Sequence, residues 1–145
     1  MLSETRKLIV VAMMVSLAAC QTAKVSNDEI SQSHRSGILK MQSGDYDKAQ
    51  EHFHKAIEMG NQRGNQDLVI SSHGQLGLIA IHQGDYNLEV KQFNLAVERD
   101  LKVLGENHRT IAFYYANIGV AYGRQGAWDS AEGYFTKALE IENKS

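Results

Sequence analysis

Apolar residues recur along this chain at steps of three and four, and the same arrangement returns three times. In the first stretch Tyr46, Ala49, Phe53, Ala56 and Ile57 fall on one helical face. The order comes back as Tyr86, Phe93, Ala96 and Val97, and again as Trp128, Ala131, Phe135, Ala138 and Leu139. Gly44 stands 40 residues before Gly84, which stands 42 before Gly126. The spacing predicts helices over 29–43, 46–60, 65–83, 86–103, 108–125 and 128–142. Gly44, Gly84 and Gly126 suit the left-handed residue that ends a helix. Asp45 and Asp85 suit the start of the next, and Asn65 and Asn107 suit the starts of the longer first helices in copies two and three. Two antiparallel helices per copy leave one apolar face uncovered, so the copies must stack to bury it.

Composition supports helix and narrows the partners. The 145 residues include no proline, so nothing forces a break inside a helix. With 43% hydrophobic and 22% charged residues the chain is globular rather than disordered. Lys and Arg number 15 against 17 Asp and Glu, a net charge of −2, which excludes the basic footprint of a nucleic-acid binder.

The first residues form a different pattern. Arg6 and Lys7 precede an uncharged run from Leu8 to Ala19 in which Ser16 is the only polar residue. As a helix that run spans roughly 18 Å, short of a ~30 Å hydrocarbon core, and it reads as a signal peptide. It closes on Leu17-Ala18-Ala19-Cys20, which contains the only cysteine. The four residues resemble the lipobox of bacterial lipoproteins. The resemblance implies cleavage before Cys20, acylation there, and attachment to a membrane of the cell envelope. Gln21 stands where an aspartate retains enteric lipoproteins at the inner membrane, which favours the outer membrane facing the periplasm. The expected division is a signal peptide over 1–19, the lipidated cysteine and a polar tether over 20–29, and a repeat domain over 30–145.

The repeats themselves resemble the tetratricopeptide repeat, whose signature carries Leu-Gly-x₂-Tyr, then Ala-x₃-Phe. The third copy fits best, with Gly119, Tyr122, Ala131 and Phe135. The second has Leu76-Gly77 but Glu89 where a small residue packs, and the first has Gly37 but Lys40 at the aromatic position. The copies exceed the family's 34 residues, and Leu104-Gly105-Glu106-Asn107-His108 through Asn117-Ile118-Gly119 resembles the longer variety found in kinesin light chains and bacterial regulators. The resemblance implies an all-α, right-handed solenoid of three stacked helix-turn-helix repeats. It further implies that the first helix of each repeat lines a groove. On the register of Gly37, Gly77 and Gly119, this selects an apolar stripe of Ile38, Met41, Leu78, Ile81, Phe113 and Val120. Such a stripe serves either as a partner-binding groove or as plain core.

Candidate chemistry is sparse. The six histidines read as surface or groove residues; His52 and His54 are two apart and point in different directions on a helix. No catalytic motif, metal set or cofactor is expected. The chain closes on Glu142-Asn143-Lys144-Ser145 after the last hairpin, so Tyr134 and Ile141 are expected to lack a covering helix and to form an association edge. The expected function is a protein-binding scaffold or adaptor in the cell envelope, similar to pilotins and envelope-assembly factors. Its partner is then a protein or peptide, with a homodimer or self-associating structural subunit as the alternative.

Overall fold

The computed structural model describes residues 26–106 and 108–144, and all the regular structure among them is helical. The helices are α1 (Asn27–Gln42), α2 (Tyr46–Arg63), α3 (Gln66–Gln83), α4 (Tyr86–Val103), α5 (Arg109–Arg124) and α6 (Trp128–Glu142). Consecutive helices pair as three hairpins, and each hairpin packs on the next through α2 against α3 and α4 against α5. The result is the expected all-α solenoid of three repeats.

Local chemistry sets most boundaries. Asp85 accepts the Leu88 N–H at 3.0 Å, and Asn65 accepts that of Leu68 at 3.2 Å, so both cap as the sequence suggests. Gly84 sits at φ 71°, and the Asp85 N–H reaches back to the Ala80 carbonyl at 3.0 Å. At the first helix, Ser26 accepts the Glu29 N–H while the Glu29 carboxylate accepts the Ser26 N–H at 2.7 Å. This capping box starts α1 at Asn27, so Asn27–Glu29 of the expected tether are helical. Helix α2 also outruns its expected end at residue 60 and stops at Arg63, before Gly64 at φ 78°. Gly60 is therefore a helix-interior residue. A Cβ there would lie 2.6 Å from Val69 Cγ2, so its role is to let α3 approach. Helix α5 begins after His108, which makes no side-chain cap bond, and the expected cap Asn107 lies outside the described residues.

Burial follows the periodic face. Ala49, Phe53, Leu76 and Ile79 form one core cluster, and Phe93, Ile111, Ile118 and Tyr114 anchor a second that reaches α6 through Ala138 and Ile141. Two histidines correct the surface-or-groove assignment. His34 and His73 are both buried. Ser72 gives its hydroxyl proton to the Leu68 carbonyl at 2.7 Å, so it accepts from His34 Nδ1–H at 2.9 Å. The other ring nitrogen then accepts from Ser71 at 3.2 Å, which ties α1 to α3 through a neutral ring. His73 donates to Gln92 Oε1 at 2.9 Å. Burial holds both rings below the usual histidine range.

Glu89 occupies the place that Ala49 and Ala131 fill in the other repeats, and it is fully buried with both carboxylate oxygens unbonded. Burial pushes its carboxyl up, against a smaller opposing pull from Arg124. With the folded value raised, the group's contribution is whole below the unfolded value of about 4.3 and is lost as pH rises through the folded one. Glu89→Ala is expected to raise stability by about 1–3 kcal/mol at pH 8, with a smaller gain at pH 4. Urea unfolding at the two pH values checks this, and a lower midpoint for the variant at pH 8 would contradict it.

Candidate functional site

Between the second and third repeats the surface opens into a cavity of about 420 Å³. Helix α3 contributes Asp67, Ile70 and Leu78 to its wall, α4 contributes Asp100, and α5 contributes Phe113 and Tyr114. The helical spacing of α3 turns Asp67, Ile70, Gly74 and Leu78 to the same side, and Gly74 leaves room for Tyr114, whose hydroxyl oxygen lies 3.0 Å and whose ring lies 3.2 Å from where a Cβ would stand. Tyr114 stacks against Phe93 with centroids 5.6 Å apart, and Phe113 meets Tyr114 edge-on at 5.7 Å. The aromatic side of the cavity is thus held by the second core cluster.

The acidic side is unusual. Asp100 is 1% exposed, and neither carboxylate oxygen has a hydrogen-bond partner among the described residues. Burial pushes its carboxyl up; the charge of His108 pulls it down and that of Asp67 adds to the rise. The same surroundings push the Tyr114 phenol up to about 12, so it remains a neutral hydroxyl at physiological pH. Nothing in the periodicity singles out Asp100, because an acid on an amphipathic helix reads as solvated. Lining the three copies up places Gly60, Asp100 and Glu142 at one position, and that alignment is the signal that would have found it.

The six stripe residues separate. Leu78 lines this cavity, and Phe113 lines both it and the second cavity described below. Ile38 and Met41 are half-buried against the first core cluster, and Ile81 is half-buried against the second. Val120 is exposed and lines neither cavity of this region.

A second cavity, of about 640 Å³, lies on the outer face of the last hairpin between α5 and α6. The expected association edge needs correction here. Ile141 is buried in the second core cluster, and Tyr134 packs against that cluster, stacked on Tyr122 at 5.5 Å with the Lys137 ammonium over its ring at 4.6 Å. Phe135 and Leu139 on the wall of this cavity are exposed, Leu139 to 62%. Phe135 and Leu139 are the register counterparts of Phe53 and Ile57, and of Phe93 and Val97, which the following repeat covers. Ile141 instead lies at i+3 from Ala138 on the inward side. Cys20 lies outside the described residues. Among the described residues no group of three His, Cys, Asp or Glu side chains converges on one point, and no helix is long and apolar enough to cross a membrane.

The same architecture occurs in a crystal structure of BtubC (BKLC) from P. vanneervenii, at a TM-score of 0.76 and 14% identity. The superposition covers 92% of this chain and 54% of that one, so this chain spans about half the length of its structural neighbour. At that identity the likeness concerns the fold. No curated protein sequence matches the chain. The family model for the tetratricopeptide repeat matches twice, over 29–102 and 68–144, so its repeats run through all six helices. The chain belongs to the tetratricopeptide repeat family.

Proposed function

We propose that this protein is a non-catalytic scaffold that holds a protein or peptide partner at the bacterial cell envelope, anchored by acyl chains on Cys20. Tetratricopeptide repeats imply protein partners, and the observation that carries the reading is the open cavity between repeats two and three. Its wall offers Leu78 and the half-exposed Phe113 on rigid helices, the arrangement from which apolar anchors of a bound segment gain affinity. The anchor rests on Leu17-Ala18-Ala19-Cys20 at the end of the short apolar run. Several acyl chains at about 0.8 kcal/mol per buried CH₂ would hold the domain at the lipid surface, with an outer-membrane, periplasm-facing placement favoured by Gln21. Within the envelope the role is that of an adaptor or assembly factor of the pilotin kind.

A second reading is favoured by the outer face of the last hairpin. Phe135 and Leu139 are exposed at the positions through which the earlier repeats stack, so a second copy would bury them in the way α3 and α5 bury their counterparts.

Three measurements test these readings. Wild-type protein recovered from the envelope is expected to have an intact mass above that of a polypeptide starting at Cys20, and Cys20→Ser is expected to leave precursor or soluble protein. A wild-type mass equal to the bare polypeptide would remove the anchor. Phe113→Glu is expected to lower partner capture from envelope extracts by about tenfold or more with circular dichroism unchanged, because the side chain is half-exposed. Undiminished capture would move the binding site elsewhere. For self-association, Leu139→Lys is expected to convert a concentration-dependent dimer into a monomer by light scattering. A wild-type chain that stays monomeric at high concentration would exclude the second reading.

A further inference from the structure

Asp67 and Asp100 occupy the same two repeat positions as Arg109 and Glu142 in the third repeat. There the two side chains form an opposite-charge pair, with Arg109 Nε 3.9 Å from Glu142 Oε1. In the first repeat the two positions hold Asn27 and Gly60, which carry no charge. Only the second repeat places two acids there, and it places them on the wall of the cavity already described. Relative to its neighbour, this repeat lacks a cation.

The cation is also missing by local accounting. Asp100 is 99% removed from solvent, and both of its oxygens lack a hydrogen bond among the described residues. An unpaired buried carboxylate is costly to keep charged, so a counter-charge brought to it is rewarded. The charged and titratable groups that act on it are Asp67 from α3, His108 before α5 and Tyr114 from α5. His108 is exposed and makes no ion pair with Asp100 among the described residues, and Tyr114 is neutral.

We infer that the cavity between the second and third repeats takes a basic side chain of the bound partner, with an arginine guanidinium completing Asp67 and Asp100 beside the rings of Phe113 and Tyr114. A hard metal ion fits poorly. Calcium takes six to eight oxygen ligands and magnesium demands an octahedron of them, whereas among the described residues no three His, Cys, Asp or Glu side chains converge on one point and this wall carries only two carboxylates. A guanidinium suits the same wall. It is weakly hydrated, pairs with carboxylates through several N–H groups and lies against aromatic faces. The partner segment is therefore basic at one residue and apolar beside it, the apolar neighbour meeting Leu78. This recognition deepens the scaffold reading and rests on it. Because the guanidinium favours the charged form of Asp100, whose carboxyl burial has pushed up, affinity rises as pH climbs through that raised value.

The test uses the full chain, ¹⁵N-labelled in detergent, titrated with N-acetyl-arginine methylamide and with its neutral citrulline analogue. Saturating amide shifts at Asp100, Phe113 and Tyr114 are expected for arginine in the millimolar range, with citrulline about tenfold weaker or more. Asp100→Asn keeps the shape of the residue and removes an unpaired charge, so it is expected to stay folded and to lose the preference for arginine. Asp67→Asn, at an exposed position, serves as the second variant and is expected to weaken arginine severalfold. Equal binding of arginine and citrulline would overturn the inference, as would unchanged arginine binding in Asp100→Asn or displacement of arginine by calcium chloride. If arginine fails to bind while Phe113→Glu still abolishes partner capture, this inference falls and the scaffold reading stands. If arginine binds as expected and Phe113→Glu leaves partner capture intact, the pocket stands and the scaffold reading loses its site.

Discussion

Each hairpin is closed by a phenylalanine ring lying on a glycine. A Cβ built on Gly37 would lie 2.7 Å from the Phe53 ring, one on Gly77 would lie 2.7 Å from Phe93, and one on Gly119 would lie 2.9 Å from Phe135. No real side chain tolerates that distance, so the absence of one lets the two helices of each repeat come together. Everything else in the solenoid depends on this contact. It fixes the register between first and second helix, and hence which side chains face the next repeat. Phe53 and Phe93 are then sealed completely by the following hairpin, while Phe135, on the last hairpin, stays 39% exposed.

That recurring contact is also why so much of the fold was legible. Glycine and phenylalanine at fixed separations, repeated three times, announce a helix pair without any knowledge of its neighbours. The misreadings fall where the cause lies outside the helix concerned. Gly60 looks like a stop, yet it is a passage for Val69 from the next helix, and Gly64 ends α2 instead. Leu139 and Ile141 are two residues apart at the end of one apolar run, and only the stacking direction decides that the first is bare and the second buried. The cavity was half legible. Leu78 and Phe113 follow from the groove register, but Asp100 lies on a second helix, outside the positions that register inspects.

The two inter-repeat interfaces share geometry and differ in chemistry. Between repeats one and two, His34 bridges Ser71 and Ser72 and presents its edge to Phe53 at 5.4 Å. Its neutral state follows from burial, and the unfolded chain would take up protons there below about pH 6.5 while the folded one resists, so acid weakens this junction. Between repeats two and three the polar bridge gives way to Phe93, Phe113 and Tyr114 with a carboxylate behind them. The raised acid there responds to pH in the opposite sense, losing its contribution as pH rises. A repeat protein is stabilised by nearest-neighbour interfaces, so such differences stay local and leave the hairpins unaltered.

The second repeat breaks its own pattern twice, and the two breaks are not equivalent. Glu89 and Asp100 are both buried acids with unbonded oxygens, and both occupy places where another copy has a small residue. Natural sequences depart from local consistency at functional sites, but a departure alone does not identify one. Glu89 lies at the helix crossing of its own hairpin, where Ala49 and Ala131 pack in the other copies, and lines none of the cavities described above. Nothing in the structure explains it. Asp100 lines a cavity, shares it with a second acid and two aromatic rings, and stands where the next repeat has one half of an ion pair. Burial and missing partners are common to both residues. An adjoining cavity and a vacant counter-charge belong only to Asp100, and those two features separate a binding residue from a structural oddity.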